Sequence, residues 1–393
     1  MKERIFPLND EYTLKEINKL EDLETLRNEW DRIANKQYTY VPFLCFEWFK
    51  MSLKHFLNNH EFLVLLLYKS GDIEAIAPFL IKKQRVKGVY VRKVELIGNV
   101  YSPIKNFLFK EMDQDTRQKD VQLILSYFSQ MNKDWDLVDL HSIPEEYNHF
   151  EILCEGVREN NFNCEKYSCF ANWFIDSINY SSDAYFRHRS KNLRASIKKN
   201  FRNAKNKGNL EFKMITEANG IDQYINQYFE VYTKSWKEQE KIGGNYLIEW
   251  IKFAAKNGWL RLGLVFLDGV TIGAGFAILC NGYAYLAKTA YDEKYEEIGP
   301  GSIWLTEMIK YVIDIDKASV VDLLRGDEEY KRHWVNQRRE RKGVLIFNNT
   351  VKAYWLSFLI QRVLPAINKN EKLRRYKEFA KRIFLSKRTM LGD

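Results

Sequence analysis

The chain has 393 residues, 46% hydrophobic, 29% charged and 15% aromatic, with 19 glycines and 7 prolines. That composition excludes a disordered, collagenous or low-complexity protein, and the length suits two domains better than one core. Lys and Arg outnumber Asp and Glu 61 to 52, for a net charge of +9, and the excess is concentrated in Tyr185 to Lys207 and Ala366 to Asp393. A mildly acidic body carrying two basic elements points to local recognition of anions, not to a coat for nucleic acid.

The amino terminus, MKERIFPLND, lacks the apolar stretch of a secretory signal. A first helix ends near Trp30, and Glu47-Trp48-Phe49-Lys50 lies on a second. From Phe62 an apolar strand, a turn glycine and another strand follow, and later Val138-Asp139-Leu140 precedes Glu145-Glu146-Tyr147. A helix is expected over 183–207, with Leu193, Ile197, Phe201 and Ala204 as its apolar stripe, Ser181 or Ser182 as its cap and Gly208 as its stop. A strand follows at 210–215, a helix at 221–237, a loop at Gly243–Gly244 and a helix at 246–256. Strands are predicted at 260–267, 270–280 and 283–291. The turns between them, Asp268-Gly269 and Asn281-Gly282, suit tight hairpins and argue against a membrane span. The rest reads as a helix at 301–315, a buried strand at 320–324 and a last strand at 344–347.

Much of this pattern occurs twice. Glu249-Trp250-Ile251-Lys252 repeats the earlier EWFK, with strand, turn and strand at the same distance beyond. Val321-Asp322-Leu323 with Glu328-Glu329-Tyr330 repeats the later block, and Trp236 matches Trp30. Matches in the same order predict two copies of one domain. The expected organisation is α+β: an N-terminal domain over 1–168, a C-terminal domain over 169–348, each a largely antiparallel mixed sheet flanked by helices, and a basic helical tail over 349–393.

Glu296-Glu297-Ile298-Gly299-Pro300-Gly301-Ser302 joins a strand to a helix. Gly299, Gly301 and Ser302 would bring backbone N–H groups and the positive end of a helix to an anion, such as the diphosphate of a coenzyme A carrier. Copy one has Tyr101-Ser102-Pro103-Ile104 in that place, so only copy two is expected to hold a cofactor. Backbone near Ala287 to Ala290 is a candidate oxyanion donor, and Asp292 a candidate base or amine-orienting group, or else a turn-initiating Asp. Asp322, on an apolar strand, needs a partner. It reads either as an ion pair with Arg325 or Lys331, or as an acceptor contact. Lys331 beside Tyr330 is a candidate phosphate or oxyanion contact. Trp236 and Tyr291 are candidate walls for an acceptor, unless they simply pack.

The five cysteines are odd in number, without a CxxC pair, and no histidine stands at zinc-ligand spacing. They read as free thiols in the cytoplasm, with no metal site. The basic helix from Arg187 reads either as a solvated amphipathic helix or as a grip for a diphosphate, a polyprenyl-linked sugar or a tRNA. The tail reads either as packed back on the body or as lying on an anionic membrane surface, which would place the protein at the inner membrane face.

RHRSKNLRASIKKNFRNAKNKGNLEF from Arg187, AYDEKYEEIGPGSIWL from Ala290 and VDLLRGDEEYKRHW from Val321 resemble the CelD/BcsL-type acyltransferases of the GNAT superfamily. EWDRIA, EWFKMS and ELIGNVYSP resemble that family's N-terminal half. The resemblance implies a tandem GNAT arrangement, related in shape to the Fem-type peptidyltransferases. It also implies acyl transfer from acetyl-CoA or another acyl-CoA to an amino group of a sugar or cell-envelope precursor in polysaccharide biosynthesis, small or lipid-linked. Glu296 departs from the family's Q/R-x-x-G-x-G/A pattern at its first position, so Lys294 or the pair Arg187 and Arg189 would supply the countercharge. Asp292, Asp322 and Lys331 are then catalytic candidates. Gly299, Gly301, Ser302, Ala290 and Lys294 are cofactor candidates, and Arg187, Arg189, Trp236, Tyr291, Arg325 and Tyr330 acceptor candidates. The alternatives are a Fem-type transferase using aminoacyl-tRNA, the one nucleic acid expected as a partner, and a non-catalytic protein that docks on anions or membranes.

Overall fold

The computed structural model describes residues 4–37, 41–58, 60–131, 134–235 and 244–369. Trp236, Gly243 and residues 370–393 of the tail lie outside the described residues. The strands are β1 (Ile5–Pro7), β2 (Tyr12–Ile17), β3 (Glu61–Lys69), β4 (Asp72–Val86), β5 (Val89–Leu96), β6 (Leu108–Phe109), β7 (Leu137–Ile143) and β8 (Asn163–Ile175). They continue with β9 (Leu210–Ile215), β10 (Leu260–Leu267), β11 (Val270–Cys280), β12 (Tyr283–Tyr291), β13 (Val320–Arg325) and β14 (Gln337–Phe347). All join one mixed sheet in the order β1-β2-β3-β4-β5-β7-β14-β8-β13-β12-β11-β10-β9, with β6 against β4.

The repeat read in the sequence has a counterpart in the pairing. β5 pairs in parallel with β7, and β12 with β13; the other neighbours are antiparallel. A parallel neighbour needs a crossover, and the helices Gln114–Ser126 and Pro300–Asp314 lie on those two connections. Val138-Asp139-Leu140 falls on β7 and Val321-Asp322-Leu323 on β13, the strand each crossover leads to. The two halves also exchange strands. β8 sits between β13 and β14, and β14 sits between β7 and β8. Residue 168 therefore falls inside a strand that joins the halves.

Asp268, Gly269, Asn281 and Gly282 all have positive φ, as a two-residue primed turn requires, and β10, β11 and β12 have the expected bounds. The helix expected over 183–207 is two, Ser182–Arg187 and Lys191–Lys207. Ser181 Oγ accepts from the Ala184 N–H of the first, and Ser190 Oγ from the Leu193 N–H of the second. That second cap breaks the run, because Ser190 is extended. Gly208 ends the helix in extended backbone, φ 169°, and a Cβ there would stand 2.1 Å from Asp268 Oδ2. Close approach, not a left-handed turn, fixes that glycine. The next helix ends at Thr233, and Gly244, expected in a loop, opens the helix Gly244–Lys256. β14 is longer than the strand expected at its end, because Arg338 to Lys342 read as solvated charge while Arg341 is fully buried.

Helices Ile221–Thr233 and Gly244–Lys256 cover one face of the second half of the sheet, with Tyr228, Tyr246 and Trp250 against Leu262, Leu264 and Phe276. Helices Ser182–Arg187, Lys191–Lys207 and Pro300–Asp314 cover the other, around Tyr185, Trp304 and Met308. Trp304 Nε1 donates to the carbonyls of Gly263 and Gly275, at 3.0 and 3.2 Å, which pins the helix over β10 and β11. Among the described residues no helix is long and apolar enough to cross a membrane.

Candidate active site

β12 and β13 pair only from Tyr283 to Tyr285 against Val320 to Asp322. Beyond that point they part, and a cleft of about 720 Å³ opens between them. Ala287, Lys288 and Tyr291 line one side and Leu324, Arg325 and Gly326 the other. Gly301 and Ser302 stand at the helix start, and Tyr101 and Pro103 reach in from the first half. The β11–β12 register jumps from Phe276↔Lys288 to Ala277↔Leu286, so Ala287 is skipped by the ladder where it faces the cleft. Such a bulge turns backbone away from the sheet.

A helix does start here, but two of the three expected N–H donors are already engaged, Gly299 with the Glu296 carbonyl at 2.9 Å and Ser302 with the Gly299 carbonyl. Gly299 has φ 70° and a Cβ there would meet Asn200 Nδ2 at 2.5 Å. The Ser302 and Ile303 N–H groups donate back to the Gly299 carbonyl, at 3.0 and 3.1 Å. Pro300 has no N–H, so Gly301 carries the first of the helix. Gly301 and Ser302 line the cleft; Gly299 holds the turn behind them. Glu296 is exposed and outside the lining, so its charge does not face the cleft.

Several expected residues lie elsewhere. Asp292 caps the turn Glu293–Ile298, its Oδ1 accepting from the Lys294 N–H at 3.0 Å, and it does not line the cleft. That is the place of a turn-initiating Asp. Lys294 is exposed, with its ammonium 5.8 Å from the Tyr295 ring centre. Ala290 is buried, paired to Ala274 in the ladder. Asp322 is fully buried. Oδ1 accepts from Asn172 Nδ2 and the Leu324 N–H, each at 2.7 Å, and Oδ2 pairs with Arg339 Nη2 at 2.5 Å. The partner is therefore Arg339, not Arg325 or Lys331, and Asp322 does not line the cleft. Arg189 donates to the Trp334 carbonyl at 2.9 Å and lies over the Tyr185 ring. Arg187 lines a different groove, of about 830 Å³, with Arg194, Lys198, Arg202, Lys205 and Lys310 around a floor of Phe186, Ile197 and Phe201. Trp236 lies outside the described residues.

Lys331, Tyr330, Tyr291 and Arg325 do meet at the cleft. Lys331 is buried; its Nζ donates to the Arg325 carbonyl at 2.7 Å and pairs with Glu328 Oε2 at 2.9 Å. Glu328, which the sequence reading quoted but did not single out, is the carboxylate lining this cleft among the described residues. Gly326 makes room for it: φ is +124° and a Cβ would stand 2.2 Å from Glu328 Oε2. Tyr101 was also missed, since only the fold brings the first half here. Its ring stacks on Tyr246 and carries Lys288 Nζ 4.7 Å above it. The corresponding place between β5 and β7 is filled. The Lys105 N–H donates to the Ser142 carbonyl at 3.0 Å, and its Nζ meets His141 Nε2 at 3.0 Å. Burial pushes both pKa values down, Lys105 to about 8 and His141 to about 3, so the imidazole stays neutral and accepts from the ammonium.

Residues 191–332 match the acetyltransferase (GNAT) domain family. Apart from Trp334, every second-half residue lining the cleft falls inside that span. Among solved structures, that of FemX superposes with a TM-score of 0.57 and 10% identity, covering 87% of this chain and 99% of that one. A tandem GNAT protein from the clavulanic acid biosynthesis pathway gives 0.45 and 8%, covering 85% and 98%. The C-terminal domain of a putative lysylphosphatidylglycerol synthetase from Agrobacterium fabrum gives 0.45 and 9%, covering 73% and 85%. No curated protein sequence matches the chain. The likeness to FemX is one of fold, and it is the Fem-type shape that the sequence resemblance implied.

Proposed function

We propose that the protein is an N-acyltransferase of CelD/BcsL type. It takes an acyl group, acetyl or longer, from acyl-CoA and places it on an amino group of a sugar or cell-envelope polysaccharide precursor, small or lipid-linked, at the cytoplasmic face of the membrane. The observation that carries this reading is the cleft between β12 and β13. Its bulged Ala287 and the Gly301–Ser302 helix start lie within one GNAT-family span. A thioester carrier supplies an activated acyl group. The chain positions it with Gly301 and Ser302 and offers backbone at Ala287 to the developing oxyanion. Glu328 takes the proton that the amine loses as the C–N bond forms, the thioester C–S bond breaks, coenzyme A leaves as the thiol with a proton returned to its sulfur, and Lys331 holds Glu328 in place. Arg325 and Tyr330 are left to orient the acceptor.

Calorimetric titration with acetyl-CoA tests this reading. Wild-type protein should bind, and Ser302→Glu, which puts a carboxylate at the helix start, should abolish binding while the fold is kept. Absence of binding to the wild type, or equal binding to the variant, would overturn it. The row of cations on Lys191–Lys207 favours one second reading, donation from an aminoacyl-tRNA. Tight, salt-sensitive binding of tRNA in place of acetyl-CoA would select that reading instead.

A further inference from the structure

The helix Val351–Phe358 follows β14 and shows two unlike faces. Ala353 and Leu356 are buried in a small core with Val91, Leu137 and Phe347. Val351, Tyr354, Trp355 and Phe358 are 81, 70, 64 and 47% exposed. Their spacing of three, one and three places them on one side of the helix. Four large apolar side chains in a row are more than the scattered exposure an ordinary surface shows.

The fold brings a second element to this stripe. Val86 and Val89, at the turn between β4 and β5, pack against the same small core, so the hairpin tip stands beside the helix. From Lys82 to Lys93 the sequence has six basic residues and no acid. Lys82, Arg92 and Lys93 are engaged with Glu95, Glu61, Asp134 and Asp139, and Lys83 approaches Glu61 at 3.9 Å. Arg85 and Lys87 stand exposed at the tip, with Tyr90 60% exposed beside them. Lys352 is paired to Asp136, Arg362 is exposed, and the chain beyond carries the basic excess of Ala366 to Asp393. β13 and β14 both run antiparallel to β8, so they point the same way. β13 ends in the cleft at the level of Asn172 of β8, whereas β14 runs on to the level of Asn163 before it reaches this helix, so the aromatic stripe stands nine residues of strand beyond the cleft.

We propose that this end of the protein docks on an anionic lipid bilayer. Val351, Tyr354, Trp355 and Phe358 enter the headgroup boundary, and Arg85 and Lys87 sit over the lipid phosphates. Tyr and Trp favour that boundary because their rings are apolar with one polar edge, and exposed cations are drawn to the negative surface. Charge selects this occupant. A second copy would bring two basic rims together, and the chain's own downstream segment is itself basic. The surface is independent of the acyl-transfer reading.

Co-sedimentation of the full chain with vesicles tests it, using phosphatidylcholine alone and phosphatidylcholine mixed with phosphatidylglycerol. Wild-type protein should sediment with the mixed vesicles and stay in solution with phosphatidylcholine. Tyr354→Ser/Trp355→Ser/Phe358→Ser should weaken binding roughly tenfold or more, and Arg85→Glu/Lys87→Glu should weaken it in a salt-sensitive way. All five positions are exposed, so an unchanged thermal melt shows that the fold is intact. Three results would overturn the proposal: no sedimentation of the wild type, equal binding by the aromatic variant, or a wild-type dimer that the aromatic variant turns into a monomer. Acetyl-CoA titration of the same variants is expected to match the wild type, so failure here is separable from failure of the proposed chemistry.

Discussion

Arg339→Met should lower the stability of the protein by about 3–5 kcal/mol, measured by chemical denaturation. Asp322 is fully buried, and Arg339 Nη2 meets its Oδ2 at 2.5 Å. The same guanidinium pairs with Glu146 Oε1 at 2.6 Å, and Glu146 Oε2 pairs with Arg341 Nη1 at 2.5 Å. Arg339 Nε also donates to Asn172 Oδ1 at 2.6 Å. This network joins β13, β8 and β14 to a turn of the first half, so it lies on the seam where the halves exchange strands. Methionine fills much of the volume but leaves a buried carboxylate without its cation. The Coulombic attraction is lost while the cost of taking Asp322 out of water remains. The double variant Asp322→Leu/Arg339→Met removes both charges and should recover most of the loss. A single variant that costs less than about 1 kcal/mol would show that the pair is solvated and the seam is held by packing alone.

Glu328→Gln should reduce kcat about 10²- to 10⁴-fold while leaving the affinity for acetyl-CoA near that of the wild type. An amide keeps the shape of the side chain and can still accept from Lys331, so the loss isolates proton transfer. With the base removed, the reaction must wait for an amine that is already neutral, so the variant's rate should rise with pH further than the wild type's. Single-turnover measurement across pH, with donor bound beforehand, checks both parts. Equal loss in donor binding and in kcat would instead mark Glu328 as a support for the cleft. An unchanged rate would mean that the proton leaves through water.

Elements governed by local chemistry were legible in the sequence. β10, β11 and β12 follow from apolar runs set off by Asp268-Gly269 and Asn281-Gly282, since such turns fix both partner and register. The helix start at Gly299 to Ser302 was legible for the same reason. β14 was harder to read because pairing on both sides buries Arg341, which a sequence shows only as charge. Asp292 illustrates an ambiguity of chemistry: a carboxylate at the end of a strand suits a base and a turn cap equally, and only its bond to the Lys294 N–H decides. Asp322 was expected to need a cation, and it has one, but strand exchange supplies Arg339 rather than a neighbour in sequence. Tyr101 enters the cleft from the other half, and the Glu328 carboxylate occupies space that a Cβ at position 326 would fill. Both depend on long-range geometry that no spacing rule carries.

The proposed acyl site is tested most directly by a crystal structure of the protein with acetyl-CoA. The thioester should lie between Ala287 and Leu324, with the diphosphate at Gly301 and Ser302 and Glu328 facing the open side of the acetyl group. Density for the carrier anywhere else, or a cleft left empty at a saturating concentration of acetyl-CoA, would contradict it.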